Sequence, residues 1–206
     1  IAMKDLEIRG AGNIFGYEQS GHISGVGYHL YCKMFNNEVN IKRGGQSHVC
    51  VPKIRFYGKA AFSDSYMPLL QDRLYFYQLL SSANNKKEII TVQEEISDRY
   101  GKPRKDTRNL YKITETRIVY TNTLVKNILI EKDRTLLMIN DMDAKTIDEM
   151  FIEKIMSSLA AQKIKFMFKQ TKKDSQALEI NNRLIEDPLG ILIGIAELFS
   201  YKNNNT

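Results

Sequence analysis

The sixteen residues "VKNILIEKDRTLLMIN", Val125–Asn140, decide the class of this fold. Two apolar runs, Val125–Glu131 and Arg134–Asn140, flank Lys132-Asp133. Short hydrophobic segments on either side of a polar pair read as a β-hairpin. What lies upstream reads differently. Asp64-Ser65-Tyr66-Met67-Pro68 opens a helix, with Pro68 preset for a first turn, and it runs to about Ser82 with Leu70, Leu74, Tyr77 and Leu80 inward. A second helix covers Lys86–Tyr100 and stops at Gly101 and Pro103. Asp106 can cap a third, which reaches about Thr121 with Leu110, Ile113 and Arg117 on successive turns.

Downstream of the hairpin the pattern alternates. Thr146–Gln162 is helical, with Ile147, Phe151, Ile155 and Leu159 four apart. Lys163–Lys169 alternates charge with Ile164, Phe166 and Phe168, which predicts a half-buried strand, and Gln176–Asn181 reads as its partner. Pro188–Tyr201 closes the chain as an apolar helix. His48–Ile54 reads as an edge strand, demoted by Pro52. Helices followed by strands mixed with helices imply an α+β domain built on a small antiparallel sheet. The polar, glycine-bearing break Arg43-Gly44-Gly45-Gln46-Ser47 divides it, at residues 46–206, from an N-terminal helical and loop appendage over residues 1–45.

Composition narrows the function classes. Of 206 residues 43% are hydrophobic and 10% aromatic, enough for a core and too many for disorder. Net charge is +6, and the excess falls between residues 46 and 123, with 13 basic against eight acidic groups. Much of it lies in Arg99, Lys102, Arg104, Lys105, Arg108 and Lys112. A solvated helix face is the plainer reading of that run. A patch for phosphates or an acidic protein surface is the sharper one. Two cysteines, Cys32 and Cys50, make no C-x-x-C and no disulfide framework, which fits a reducing cytoplasm. No run of 18 apolar residues predicts a membrane span. The opening Ile1-Ala2-Met3-Lys4-Asp5 has neither initiator Met nor signal peptide and reads as part of a longer protein.

The appendage holds six of the chain's 12 glycines between Leu6 and Tyr31. Gly10-Ala11-Gly12 begins like a dinucleotide-binding fingerprint, but Gly16 comes one position late, no strand leads in, and no helix opens behind it. A Gly-Lys-Ser/Thr phosphate loop is absent. His29 and Cys32 share a helical face with His22 nearby, yet no fourth ligand completes a metal site. Ser20-Gly21-His22 has no nucleophile elbow. The carboxylates of Glu94-Glu95, Asp141 and Asp143 are expected to face solvent. No catalytic constellation emerges, and the chain by itself is expected to hold no cofactor, no metal and no activity.

One resemblance supplies what spacing does not. Met3–His22, "MKDLEIRGAGNIFGYEQSGH", resembles the end of the TRG (translocation in RecG) motif, shared by RecG and the bacterial transcription-repair coupling factors. Lys4 for arginine and Tyr17 for an acidic residue are its departures. Val26–Tyr31, "VGYHLY", resembles the helix that follows. "DSYMP" at 64–68, "RLYFY" at 73–77 and "DRYGKP" at 98–103 resemble the C-terminal domain of the coupling factors. Beyond Leu124 the match is in element order alone.

The resemblance implies a parent that is an ATP-driven double-stranded DNA translocase, with ATP and Mg²⁺ as its cofactors. Such a protein displaces stalled RNA polymerase and recruits UvrA in nucleotide excision repair. Arg9 and Gln19 match positions that couple ATP hydrolysis to stepping, on a loop bent at Gly10, Gly12 and Gly16. Residues 46–206 match a regulatory domain expected to dock on a UvrB-like N-terminal module and mask the UvrA-binding surface. A basic DNA-binding accessory module is the alternative. Neither reading involves a membrane.

Overall fold

The computed structural model describes residues 50–139, 149–170 and 176–200. The glycine-rich stretch lies outside them, so Arg9, Gln19, Gly10, Gly12, Gly16, His22, His29 and Cys32 carry no structural account. The described part orders its elements as β1 (Lys53–Phe56), α1 (Leu70–Ser82), α2 (Lys86–Tyr100), α3 (Lys105–Val119), β2 (Val125–Ile130), β3 (Arg134–Ile139), α4 (Glu149–Ala161), β4 (Phe166–Gln170), β5 (Gln176–Asn181) and α5 (Pro188–Ile195). A 3-10 turn, Ala196–Phe199, follows α5.

The five strands form one sheet in the order β1-β2-β3-β5-β4. β2, β3, β5 and β4 pair antiparallel with their neighbours, whereas β1 pairs parallel with β2. The expected antiparallel sheet is therefore mixed, within the α+β class. Sequence pattern sees adjacent hairpins, but it does not see a strand that returns across three helices to join the edge. β3 and β4 run parallel with β5 between them, and α4 links them in the chain.

Strand register puts Ile54, Ile128, Leu137, Leu178 and Phe168 across one face, beside Phe56, Ile130, Thr135, Ile180 and Phe166. Its central members are buried and belong to the same core as the helices, with Phe76, Leu80, Ile96, Leu110, Ile155 and Phe199. The other face carries Lys53, Arg55, Asn127, Leu129, Met138 and Lys169, all intermediate or exposed. Among the described residues the helices thus pack on one face of the sheet, and the other carries intermediate and exposed side chains with Ala177 as its buried member, as an antiparallel-rich sheet allows.

Local signals explain most boundaries. Asn85 caps α2 by accepting from Glu88 N–H at 3.0 Å, and Glu88 reaches back to Asn84 N–H at 2.8 Å, a reciprocal arrangement that satisfies otherwise orphan donors. Gly101 ends α2 at φ 76, in the left-handed region where a Cβ is costly. In the β2–β3 hairpin Glu131 N–H donates to Arg134 O at 2.8 Å around Lys132-Asp133. Buried Asn182 fastens that turn to the end of β5, donating to Glu131 O and to Thr135 Oγ1, both at 2.9 Å.

Four expectations shift. β1 starts at Lys53, after Pro52, because proline brings no N–H to a ladder. α1 starts at Leu70, so Pro68 precedes it, and Leu70 in its first turn is 43% exposed while Phe76, Tyr77, Leu80 and Ser81 form the buried face. Asp106 does not cap α3. The N-cap is Arg104, held extended after Pro103 with no side-chain cap, and Asp106 sits in the first turn where its charge complements the helix dipole. β4 is a strand but not a half-buried one: it starts at Phe166, and every residue after Phe166 is exposed because β4 is a sheet edge.

Candidate interaction surface

The segments "DSYMP", "RLYFY" and "DRYGKP" are far apart in sequence and converge in space. Asp64–Tyr66 make a turn in which Tyr66 N–H and Met67 N–H both donate to Ser63 O at 2.9 Å. Arg73, one turn into α1, donates through Nη1 to Met67 O at 2.7 Å and Pro68 O at 3.1 Å. The same guanidinium pairs with Asp64 at 2.7 Å. One arginine thereby fixes how the chain enters α1. A planar fork of donors suits this task better than a lysine ammonium.

The α2–α3 turn closes on the same place. Tyr66 hydroxyl donates to Gly101 O at 2.7 Å, and Tyr100 hydroxyl donates to Asp72 at 2.6 Å. Arg104 reaches Ser65 Oγ at 2.7 Å. Beneath them the rings of Tyr66 and Phe76 approach Tyr100 at 6.1 and 6.3 Å, and the Arg99 guanidinium lies 5.7 Å from the Phe76 centroid. Edge-on aromatic contacts and a cation over a ring face each add about 0.5–1.5 kcal/mol beyond area burial. The result is a rigid knuckle whose outer rim is the basic run.

The five cations of that rim divide by what they touch. Arg99 pairs with Glu95 at 2.6 Å, and Arg108 donates to Pro103 O at 2.7 Å. Arg104 is held by Ser65, as above. Lys102 and Lys105 are exposed and have no ion-pair partner among the described residues. Lys112, counted in the same run, turns instead to Asp187 at the start of α5 and is structural. The structure gathers Arg99 at the end of α2, Lys102 and Arg104 in the turn, and Lys105 and Arg108 in the first turn of α3, and leaves Lys102 and Lys105 without an ion-pair partner among the described residues.

Sequence reasoning missed Arg73, Tyr66 and Tyr100 as the groups that shape this surface. Each stands inside a segment of the family resemblance, but the tyrosine pairings span 28 and 35 residues and leave no local trace, and Arg73 bonds main-chain carbonyls, which side-chain pattern does not show. Glu94 faces solvent, as expected, whereas Glu95 is half-buried and held by Arg99; Asp141 and Asp143 lie outside the described residues. Among the described residues no three His, Cys, Asp or Glu side chains group to hold a metal, and no helix is long and apolar enough to cross a membrane.

Five tyrosines of the domain make it sensitive to alkali. Burial pushes the Tyr77 phenol up to about 12, opposed by the hydrogen bond it accepts from Phe62 N–H. Burial also raises Tyr66, Tyr111 and Tyr120, and the hydrogen bond to Asp72 raises Tyr100. A phenol raised in the folded state favours folding below the ordinary value of 10.0 and progressively less above it. Stability is therefore expected to be flat from neutrality to about pH 10 and to fall between pH 10 and 12, as the unfolded chain ionises while the fold cannot. Urea midpoints at pH 8 and pH 11 check this, and equal midpoints would contradict it.

Both the sequence and the fold have known relatives. The family described as the TRCF domain matches residues 58–150, which include the whole knuckle. The transcription-repair-coupling factor of Buchnera aphidicola subsp. Acyrthosiphon pisum is 29% identical over 147 residues, covering 68% of this chain and 18% of that protein. That of Buchnera aphidicola subsp. Baizongia pistaciae is 34% identical over 134 residues, 62% of this chain and 19% of that protein. That of Mycobacterium bovis is 33% identical over 131 residues, 58% and 11%. The chain thus spans less than a fifth of the length of these relatives. A crystal structure of the C-terminal domain of a transcription-repair coupling factor shares the fold, with a TM-score of 0.62 over 75% of this chain and 93% of that one, at 14% identity.

Proposed function

Because this chain belongs to the transcription-repair-coupling factor family, we propose that it is the regulatory, protein-docking end of an ATP-driven double-stranded DNA translocase acting in DNA repair. Its folded body docks on the UvrB-like module of the same protein and masks the surface that binds UvrA, until the parent engages a stalled RNA polymerase. ATP and Mg²⁺ serve the parent, in the cytoplasm, at lobes other than this domain.

The observation that carries the reading is the knuckle. Three segments inside the family match are locked together by Arg73, Tyr66, Tyr100 and Arg104 around the α2–α3 turn, which offers Lys102 and Lys105 with no ion-pair partner among the described residues. A rigid turn with uncommitted cations suits an acidic protein surface, because little side-chain ordering remains to oppose docking. The purified chain is expected to bind the isolated UvrB-like module, and Lys102→Glu with Lys105→Glu to weaken that binding about tenfold or more. Undiminished binding by the double variant would remove the α2–α3 turn as the contact.

Arg9 and Gln19 are proposed to couple hydrolysis to movement in the parent. Arg9→Ala and Gln19→Ala should leave ATPase activity while abolishing polymerase displacement. Normal displacement by both variants refutes those roles. The same two exposed lysines favour a second reading, a DNA contact by phosphate neutralisation. It requires an affinity of the isolated chain for duplex DNA that falls steeply with salt.

A further inference from the structure

The sheet edge at β4 is built unlike the rest of the surface. β4 pairs with β5 on one side, and no strand among the described residues pairs with its other side. An open edge presents unpaired backbone N–H and C=O groups and is a template for another strand. Met167 and Phe168 in its centre are 52% and 36% exposed. Lys163, Lys165 and Lys169 alternate along the same segment and are all exposed. Lys169 is held by Glu179 at 2.7 Å, whereas Lys163 and Lys165 have no ion-pair partner among the described residues.

At the head of β4 a cleft of about 280 Å³ opens between the α4–β4 turn, the end of β5 and the start of α5. Ile164, Ile185 and Ile191 supply its apolar wall, and Leu184 on its rim is 87% exposed. Lys163 and Lys165 line it from the α4–β4 turn, Glu186 and Asp187 from the segment that leads into α5. Asp187 is committed to the Gly190 N–H and to Lys112. Lys163 holds φ 56, in the left-handed region where glycine fits without steric cost. That conformation closes α4, with Lys163 N–H donating to Ala160 O and Ile164 N–H to Leu159 O, both at 2.9 Å, and it sets where the Lys163 side chain leaves the helix end.

We propose that β4 and this cleft form a docking groove for an extended acidic segment of a partner protein. The segment adds to the sheet as a strand beside β4 and sets its carboxylates against Lys163 and Lys165. It places an apolar side chain in the cleft at its end. Backbone pairing supplies affinity in such strand addition, and alternate side chains supply selectivity. The acidic wall of Glu186 and Asp187 argues against a polyphosphate occupant, which would meet two carboxylates where a peptide offers an apolar side chain or an N–H. This groove uses no residue of the α2–α3 turn, so it stands or falls independently of docking there.

The test is fluorescence anisotropy of the full chain with a labelled short peptide alternating glutamate and leucine. Binding should weaken with added salt and fall about tenfold in Lys163→Glu and in Lys165→Glu, with a smaller loss in Lys163→Gln. Lys87→Glu on α2, an exposed site with the same change in net charge, should bind as the unaltered chain does. Methylating alternate backbone nitrogens of the peptide should weaken binding as strongly as charge reversal. Absence of binding, indifference to either lysine, an equal loss in Lys87→Glu, indifference to N-methylation, or preference for oligothymidylate over the peptide would each overturn the proposal.

Discussion

Replacing Arg117 with alanine should lower stability by about 3 kcal/mol, the largest loss expected from a single polar side chain in this domain. Arg117 lies on α3 and is 6% exposed, and its guanidinium crosses to the C-terminal end of α1. There it donates to Ser81 O at 2.8 Å, Leu80 O at 3.2 Å and Ala83 O at 2.5 Å. The last carbonyls of a helix have no partner within it and carry its negative dipole end. One buried cation answers both needs and ties α1 to α3. Alanine would leave those carbonyls dry and open a cavity between the helices. The melting temperature should drop by roughly 6–12 °C, from about 2–4 °C per kcal/mol at this chain length. Lysine should recover part of the loss, since an ammonium cannot span three acceptors as a planar fork does. An alanine variant within about 0.5 kcal/mol of the unaltered domain would sink this account of the helix pair.

Phe76→Ala should cost about 3–5 kcal/mol, as large aromatic truncations in well-packed cores do. Phe76 is fully buried in α1. Its ring meets Phe62 at 6.4 Å, Tyr75 at 5.1 Å and Tyr100 at 6.3 Å, and Arg99 covers its face. The effect should reach beyond stability, because the α2–α3 turn rests on this ring. Loss of the support should loosen Tyr100 and Arg99, and with them the presentation of Lys102 and Lys105. Phe76→Leu is expected to keep most of the stability, yet to weaken docking on the UvrB-like module. Urea unfolding gives the first quantity, and binding of the purified chain to that module gives the second. Undiminished docking by Phe76→Leu would separate the core from the surface above it.

What the sequence made legible was local. Lys86–Tyr100 reads as α2 to the residue, because Gly101 and Pro103 stop it; the Asn85 cap at its start is a finding of the structure. The β2–β3 hairpin and Gln176–Asn181 follow from short apolar runs bounded by polar turns. Arg117 appears on the inward face of its helix, beside Leu110 and Ile113, but its acceptors lie 34 to 37 residues away and have no signature in the pattern. The parallel pairing of β1 with β2 is equally non-local. Leu70 reads as core by spacing because periodicity does not know where a helix begins to touch its neighbour. β4 reads as half-buried because alternation does not distinguish an interior strand from an edge. The basic run was visible from composition. Which of its members remain free was not, since that depends on Glu95, Ser65 and Pro103 as neighbours in space.

The central claim is that this domain restrains the protein that carries it. Affinity of the full-length protein for UvrA, measured with and without residues 46–206, tests that claim most directly. The account predicts markedly tighter UvrA binding once those residues are removed; equal affinities for the two proteins would contradict it.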